Sequence, residues 1–253
     1  VLYDLEINPN RPDAMSVAGV ARDLAARLKV PFSIPEPTVA TAGAEAATSA
    51  RVEILDPQGC GRFVARVLRD VRVGESPTWL ANRLTALGMR PINSVVDASN
   101  YVMLELGQPN HAYDLARLGG GGLRVRRARD GESITTLDDV ARALVPDDLL
   151  ICDLDDVPHG IAGVMGGAVA EVSDSTTDVL LELAWFDSLA VARTSRRLGL
   201  RSEASARFEK GTDPEVLERA GLRFAELLGD SATLAPGTID ERGEVSERPT
   251  VRL

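Results

Sequence analysis

The middle of the chain is rich in strand-forming segments, whereas the segments before and after it have helical periodicity. From residue 123 to residue 186, short apolar runs alternate with turn residues, and the clearest runs are 149–152, 161–164 and 179–183. Strands and helices do not alternate regularly, so a parallel sheet of βαβ units is not expected. The sequence therefore predicts an α+β fold, in which mixed or antiparallel sheets form a β-sandwich-like core flanked by helices.

Four segments outside the strand-rich region have the apolar spacing of amphipathic helices. Their apolar residues recur every three or four positions, and Pro or Gly marks most of their ends. We predict helices over 17–28, 77–87, 95–106 and 214–228. Residues 35–50 are poor in large apolar side chains and have no such period, which predicts a surface connector.

The length and composition fit one compact unit with two closely packed parts. The chain has 253 residues, of which 44% are hydrophobic, so it can bury a sizeable core. We predict a helical and β part over about 1–118 and a β-rich part with C-terminal helices over about 119–253. Because the sequence is strand-like both at Val1, where no Met begins it, and at 250–253, we expect an excerpt of a longer polypeptide.

Charge and cysteine content exclude several classes of protein. The net charge of -10 argues against a protein that holds RNA mainly by its own field, although Arg is concentrated at 124–129 and 193–201. No apolar run is long enough for a membrane span and no signal peptide is present, which indicates the cytoplasm. Cys60 and Cys152 with two His cannot form a disulfide framework or a four-ligand zinc site. We expect no metal or cofactor in this region.

Two stretches carry a resemblance to a known family. They are residues 90–114, which end in GQPNHAYD, and residues 198–214, LGLRSEASARFEKGTDP. The motifs at 8–13, 163–167 and 181–186 occur in the order that the family shows. The chain resembles the β subunit of bacterial phenylalanyl-tRNA synthetases over nearly its whole length.

This resemblance implies the central editing region and its fold. The implied activity is hydrolysis of tyrosine wrongly attached to the tRNA for phenylalanine. The complete protein is implied to be an α2β2 tetramer that uses ATP and magnesium to charge this tRNA. The family's aminoacylation site lies largely on the α subunit, so this region is not expected to charge tRNA itself.

Glu182 is the candidate residue for recognition of the tyrosine hydroxyl by a hydrogen bond. An apolar pocket rejects an added hydroxyl only about a hundredfold, so discrimination needs a site that binds the hydroxyl. Glu182 interrupts an apolar strand in which alternation places Leu180, Ala184 and Phe186 on its own face. A buried carboxylate requires a partner, either the substrate hydroxyl or a cation such as Arg207.

The resemblance also indicates a substrate contact by His111, which follows the end of a predicted helix. His111 either orients the hydrolytic water or contacts the tyrosine hydroxyl, and the sequence does not choose between these roles. Asn100 either adds a polar contact or is a satisfied buried amide. Asn110, where the family commonly has Leu or Met, places an amide beside His111 that could change the partner of its ring.

Small residues complete the candidate site. Gly163 and Gly166 either let backbone N–H groups stabilise the oxyanion of ester hydrolysis or form a tight β-turn. Ser202, where the family often has Thr, reads as a helix N-cap, which puts Ala204 in the first turn, where N–H groups attract a carbonyl or phosphate oxygen. The small side chain of Ala204 leaves room for a ligand.

Two alternatives remain open. Ser202 and Asn110 depart from the family pattern, and so does Tyr113, where Phe is common. The first alternative is a non-catalytic module of the same synthetase that positions tRNA or serves as a scaffold. The second is a hydrolase of small molecules. No pairing of a nucleophile with a base is evident, so the sequence favours hydrolysis by water.

Overall fold

The computed structural model describes residues 2–245, which contain six α-helices and twelve β-strands. The helices are α1 (Val17–Leu28), α2 (Thr78–Ala86), α3 (Ser94–Leu106), α4 (Ser188–Leu198), α5 (Glu203–Phe208) and α6 (Leu217–Leu228). The strands are β1 (Arg51–Ile54), β2 (Cys60–Arg69), β3 (Asn110–Asp114), β4 (Gly122–Arg127), β5 (Ser133–Thr135), β6 (Ala141–Ala143), β7 (Leu149–Asp153), β8 (Pro158–Ile161), β9 (Met165–Gly166), β10 (Val179–Phe186), β11 (Thr233–Leu234) and β12 (Ile239–Arg242).

The strands form two five-stranded sheets and one hairpin. The first sheet has the order β11-β2-β10-β3, with β12 also paired to β2, and is antiparallel. The second has the order β1-β4-β7-β8-β9 and is mixed, because β1 and β4 are parallel. Strands β5 and β6 form the hairpin. The predicted α+β class with mixed and antiparallel sheets is confirmed.

The first sheet is buried on both faces. One face, which carries Phe63 and Leu180, packs against Val125 and Ile151 of the second sheet and gives the sandwich-like core. The other face packs against α3 and α6, whose buried residues share a second cluster with Val64 and Leu181 from β2 and β10. Alternation along β10 explains this division, because successive side chains point to opposite faces.

Most predicted helices are present, with shifted ends. Helix α1 has the predicted bounds, and α3 ends at Gly107, whose φ of 78° suits a glycine. Helix α2 begins one residue after Pro77, and α6 begins at Leu217 rather than at Pro214. Helix α4 was not predicted, because its three arginines were considered only as a basic patch and its apolar residues were not tested for helical spacing.

The apolar stripe predicted for α1 faces outward. Val17, Leu24 and Leu28 are 57%, 56% and 60% exposed, whereas Gly19 and Ala25 are the buried residues of the helix. A Cβ at Gly19 would lie 1.7 Å from the Asp13 carbonyl oxygen, so this helix packs through its small residues.

The remaining sequence predictions have mixed outcomes. Residues 2–8 form no strand, and the strand predicted at 250–253 lies outside the described residues. The strand predicted over 161–164 is wrong, because β8 ends at Ile161 and a turn follows. In the basic run at 124–129, each arginine pairs with a neighbouring carboxylate, so its charge serves local ion pairs.

Two features concern membranes and metals. No helix in the described part of the chain is long and apolar enough to cross a bilayer. Among residues 2–245, no group of three or more His, Cys, Asp or Glu side chains is arranged to hold a metal ion.

Candidate active site

A cavity of about 80 Å³ opens where β3 and β10 approach the turn after β8 and the start of α5. Five of the seven predicted site residues line it: His111, Gly163, Gly166, Glu182 and Ala204. The other lining residues are mostly apolar: Pro109, Asn110, Tyr113, Ile151, Gly160, Ile161, Ala162, Val164, Met165 and Phe208. Elements far apart in sequence therefore bring the predicted residues to one place.

Glu182 lies in the middle of β10 and is only 7% exposed. Its partner is the Tyr113 hydroxyl, which donates a hydrogen bond to Oε2 at 2.7 Å. The alternative partner, Arg207, instead forms an ion pair with Glu203, with 2.7 Å between Nη1 and Oε2. The structural ion pair considered from the sequence is therefore not formed, and the buried carboxylate is held by a phenol.

The surroundings of Glu182 favour its protonated form. Burial raises the pKa of this carboxyl from 4.5 to about 7, and the Tyr113 hydrogen bond offsets only part of the effect. Glu182 therefore changes charge near neutral pH. Carboxylates with such pKa values are common at functional sites.

His111 lies directly opposite Glu182 in the pairing of β3 with β10. Its Nε2 is buried and has no hydrogen-bond partner within residues 2–245. Burial lowers the pKa of His111 to about 4, with a smaller contribution from His159, so the ring is neutral at pH 7. An unpartnered ring nitrogen beside a cavity is suited to bind a water or a ligand.

The Asn110 amide does not contact the His111 ring. Its Nδ2 donates to the carbonyl oxygens of Ser99 at 3.2 Å and Gln108 at 3.3 Å. These bonds fix the start of β3 against the middle of α3 and against the segment that joins the two elements. This departure from the family pattern therefore leaves the His111 nitrogen available to a ligand.

Gly163 lies in the tight turn between β8 and β9, and Gly166 is the last residue of β9. Gly163 has a φ of 68°, and the turn closes with a 3.0 Å bond from Val164 N to Ile161 O. Gly166 has a different constraint, because a Cβ there would lie 2.7 Å from His111 Cε1. The absence of a side chain at residue 166 thus makes room for the imidazole.

We expect Gly166→Ala to displace the His111 ring and to lower the free energy of unfolding by about 1–3 kcal/mol. The added methyl would lie 2.7 Å from Cε1 of this buried ring, too close unless the ring or the backbone moves. Urea denaturation measures the effect, and Gly74→Ala is the control because its Cβ would meet nothing within 4 Å. Equal stability of the two variants would show that the ring is not confined in this way.

Ser202 and Asn100 do not line the cavity. Ser202 caps α5, accepting from Ser205 N at 3.0 Å, and its hydroxyl donates to Val164 O at 2.8 Å. Ser202 therefore ties α5 to the turn that carries Gly163. Asn100 is half-buried on α3. The predicted N-cap is confirmed, and Ala204 lies in the first turn of this short helix.

The two cysteines are unsuited to act as nucleophiles. Burial raises the pKa of the Cys152 thiol to about 12 and that of Cys60 well above its ordinary value. Neither lines the cavity.

Larger clefts lie elsewhere. One of about 250 Å³ lies between α1 and α6, and one of about 420 Å³ lies near Arg207. The cavity at β3 and β10 differs from these clefts in having a buried acid beside a buried imidazole.

Comparison with known proteins identifies the family. The profile of the B3/4 domain matches residues 59–233, which include β3 and β10, the strands that carry His111 and Glu182. The chain belongs to the B3/4 domain family. The sequence resemblance to phenylalanyl-tRNA synthetase β subunits is confirmed by relatives that share this domain.

This B3/4 domain is similar to two curated bacterial proteins. It is 49% identical over 255 residues to the phenylalanine–tRNA ligase beta subunit of Anaeromyxobacter dehalogenans (strain 2CP-C), covering 100% of this chain and 32% of that protein. It is 50% identical over 244 residues to the subunit of the same name from Moorella thermoacetica, covering 95% of this chain and 30% of that protein. The chain thus spans about a third of the length of these relatives.

One solved structure is also similar to this B3/4 domain. It is an N-terminal fragment of the phenylalanyl-tRNA synthetase beta-subunit from Pyrococcus horikoshii, with a TM-score of 0.46 and 13% identity, over 92% of this chain and 64% of that chain.

Sequence reasoning missed Tyr113 as a site residue. It was noted only as a departure from the family pattern, because residues 110–114 were not recognised as a strand. Two positions separate it from His111, and in a strand that spacing places both side chains on one face. Their ring centroids lie 4.5 Å apart.

Proposed function

We propose that this domain hydrolyses tyrosine misattached to the tRNA for phenylalanine, as the editing region of a phenylalanine–tRNA ligase. The observation that carries the proposal is the 2.7 Å bond from the Tyr113 phenol to the buried Glu182 carboxylate. Glu182 already binds a tyrosine hydroxyl in an otherwise mostly apolar cavity. A substrate tyrosine presents the same group to the same acceptor.

Glu182 accounts for selectivity in this proposal. A hydrogen bond from a phenol to a carboxylate contributes about 1.5–3 kcal/mol. Phenylalanine offers no hydroxyl, and it would exclude water from the carboxylate without replacing the lost hydrogen bond. Tyrosine is therefore preferred over phenylalanine by a factor on the order of 10 to 100.

Hydrolysis in this proposal uses water rather than an enzyme nucleophile. The neutral His111 ring has an unpartnered Nε2 that can bind and orient a water beside the ester. The water oxygen forms a bond to the carbonyl carbon, the ester C–O bond breaks, and a proton passes to the leaving ribose oxygen. Backbone N–H groups near Gly163 and Gly166 are the candidates for oxyanion support.

The partners in this proposal belong to the complete protein. The mischarged 3′ end of the tRNA enters the cavity. The exposed Arg193 and Arg196 on α4, which packs against α5, and Arg201 in the link between these helices are candidates for phosphate contacts. The complete cytoplasmic enzyme would pair this β subunit with an α subunit in an α2β2 tetramer. We place ATP and magnesium in its aminoacylation reaction, outside this region.

The test compares variants of the complete enzyme in deacylation of tyrosyl-tRNA and phenylalanyl-tRNA. We expect Glu182→Ala to slow tyrosyl-tRNA hydrolysis by about 10- to 100-fold, because it removes the bond to the phenol. We expect His111→Ala to slow it as well, by removing the group that orients water. Glu75→Gln, a change at an exposed carboxylate, is the matched control.

Two outcomes would contradict the proposal. Deacylation by the unaltered enzyme at only the spontaneous rate would favour a non-catalytic module. Full activity in Glu182→Ala would show that this cavity does not recognise the tyrosine, and full activity in His111→Ala as well would show that the hydrolytic site lies elsewhere.

A further inference from the structure

Tyr113 is held in one position from several sides. It is 2% exposed on β3, its ring centroid lies 4.5 Å from that of His111, and it lies 6.5 Å from the ring of His159. Both neighbouring rings approach it edge to face. Because the ring is packed between these groups, its hydroxyl cannot readily turn away from Glu182.

The bond to Tyr113 occupies only one of the two carboxylate oxygens. Tyr113 donates to Oε2 of Glu182, and a carboxylate has acceptor sites on both oxygens. A substrate phenol can therefore bind Oε1 while Tyr113 stays in place. Tyr113 fixes the rotation of the carboxylate at the same time, since it holds the other oxygen.

Resting on the proposed function, we infer that Tyr113 is a positioning residue for tyrosine selectivity: its hydroxyl orients Glu182 and keeps it an acceptor for the substrate phenol. An ionised carboxylate only accepts hydrogen bonds, and bonds to a charged acceptor are stronger than those to a neutral one. A fixed internal donor that stabilises the ionised form therefore strengthens the preference for a substrate that donates.

The groups around Glu182 support this role. The Tyr113 bond lowers the pKa of Glu182 against the effect of burial, and Tyr113 stays protonated because its own pKa is raised well above 10. His111 on β3 is neutral near pH 7, and the buried Cys60 thiol on β2 is neutral as well.

Near Tyr113 lie His159 on β8 and Cys152 on β7. Of the described residues of α5, the two that line the cavity, Ala204 and Phe208, are uncharged. Tyr113 is the hydrogen-bond donor to Glu182 among the described residues.

The test is the pH dependence of tyrosyl-tRNA deacylation by the complete enzyme, after subtraction of the spontaneous rate. We expect the Tyr113→Phe variant to lose activity at pH 7 and to regain it at higher pH. The midpoint of its pH–activity curve, which follows the ionisation of Glu182, should shift upward by about one pH unit. Its preference for tyrosine over phenylalanine should fall at pH 7. Tyr101→Phe is the control, because its hydroxyl accepts a bond from Arg83 away from the cavity.

A second substitution tests the inference in the opposite direction and keeps the aromatic ring. Replacing Tyr113 with 3,5-difluorotyrosine makes the phenol a stronger donor, so the midpoint should move downward. An unchanged midpoint in both Tyr113 variants, with Glu182→Ala inactive, would overturn the inference and leave the proposed function standing. Increased activity of Tyr113→Phe at every pH would mean that the Tyr113 hydroxyl competes with the substrate phenol for Glu182. This result would also overturn the inference. Full activity of the Glu182→Ala variant would instead contradict the proposed function.

Discussion

Ala204→Trp is expected to reduce tyrosyl-tRNA hydrolysis by at least about 100-fold, an effect typical of losing a productive substrate position. Ala204 lines a cavity of only about 80 Å³ at the start of α5. An indole ring there would occupy the space that a substrate phenol needs. Deacylation by the complete enzyme measures the loss, with phenylalanine charging in the same preparation as a check on integrity.

The matched control for this variant is Ala206→Trp. Ala206 lies on the same helix and is also half-buried, but it does not line the cavity. Both variants place a large ring on α5, so both should show a similar cost in thermal stability. Comparable hydrolysis by the two variants would show that the substrate does not occupy this cavity.

Glu182→Gln is expected to stabilise the 253-residue chain by about 3 kcal/mol above pH 7 and to change little near pH 4. The folded carboxyl has a pKa of about 7, against 4.5 for its ordinary value. Below pH 4.5 the carboxyl is protonated in both the folded and the unfolded chain, so it does not lower the stability of the wild type. Between these values the unfolded chain ionises while the folded chain does not, so wild-type stability falls as pH rises.

The measurement is urea denaturation of both proteins across this pH range. Glutamine keeps a carbonyl acceptor for the Tyr113 hydroxyl and has no charge, so the difference between the two curves isolates the buried carboxylate. His111 contributes the opposite slope in both proteins, because its depressed pKa favours folding more as pH rises from about 4 to 6.5. Glu75→Gln, at an exposed position, should change stability by less than about 0.5 kcal/mol. Parallel curves for wild type and Glu182→Gln would contradict the assigned burial.

Local patterns predicted much of the fold. The caps and periodicity of α1 and α3 gave their ends to within one residue, and the apolar run of β10 correctly predicted a strand with Glu182 on the core face. The face shared by Glu182, Leu180 and Ala184 followed from alternation alone. Such features depend on neighbouring residues, which a sequence shows directly.

The partner of Glu182 could not be predicted in the same way. Residues 110–114 are short and polar and follow a helix, so nothing local marks them as a strand, and only pairing with β10 makes them one. That pairing sets His111 opposite Glu182 and aligns Tyr113 on the same face. The buried face of α1 was also predicted wrongly. The apolar stripe of a helix does not show whether a neighbouring element covers that stripe.

The central place of β10 between β2 and β3 has a consequence during synthesis. Glu182 reaches the cavity only when β10 inserts between β3 and β2. Its partners in those strands, His111 and Ala65, are made 71 and 117 residues earlier. A nascent chain in which β10 has not yet emerged from the ribosome holds His111 without its acidic neighbour. Any catalytic competence of this region would therefore appear only after β10 has been made and the first sheet has closed.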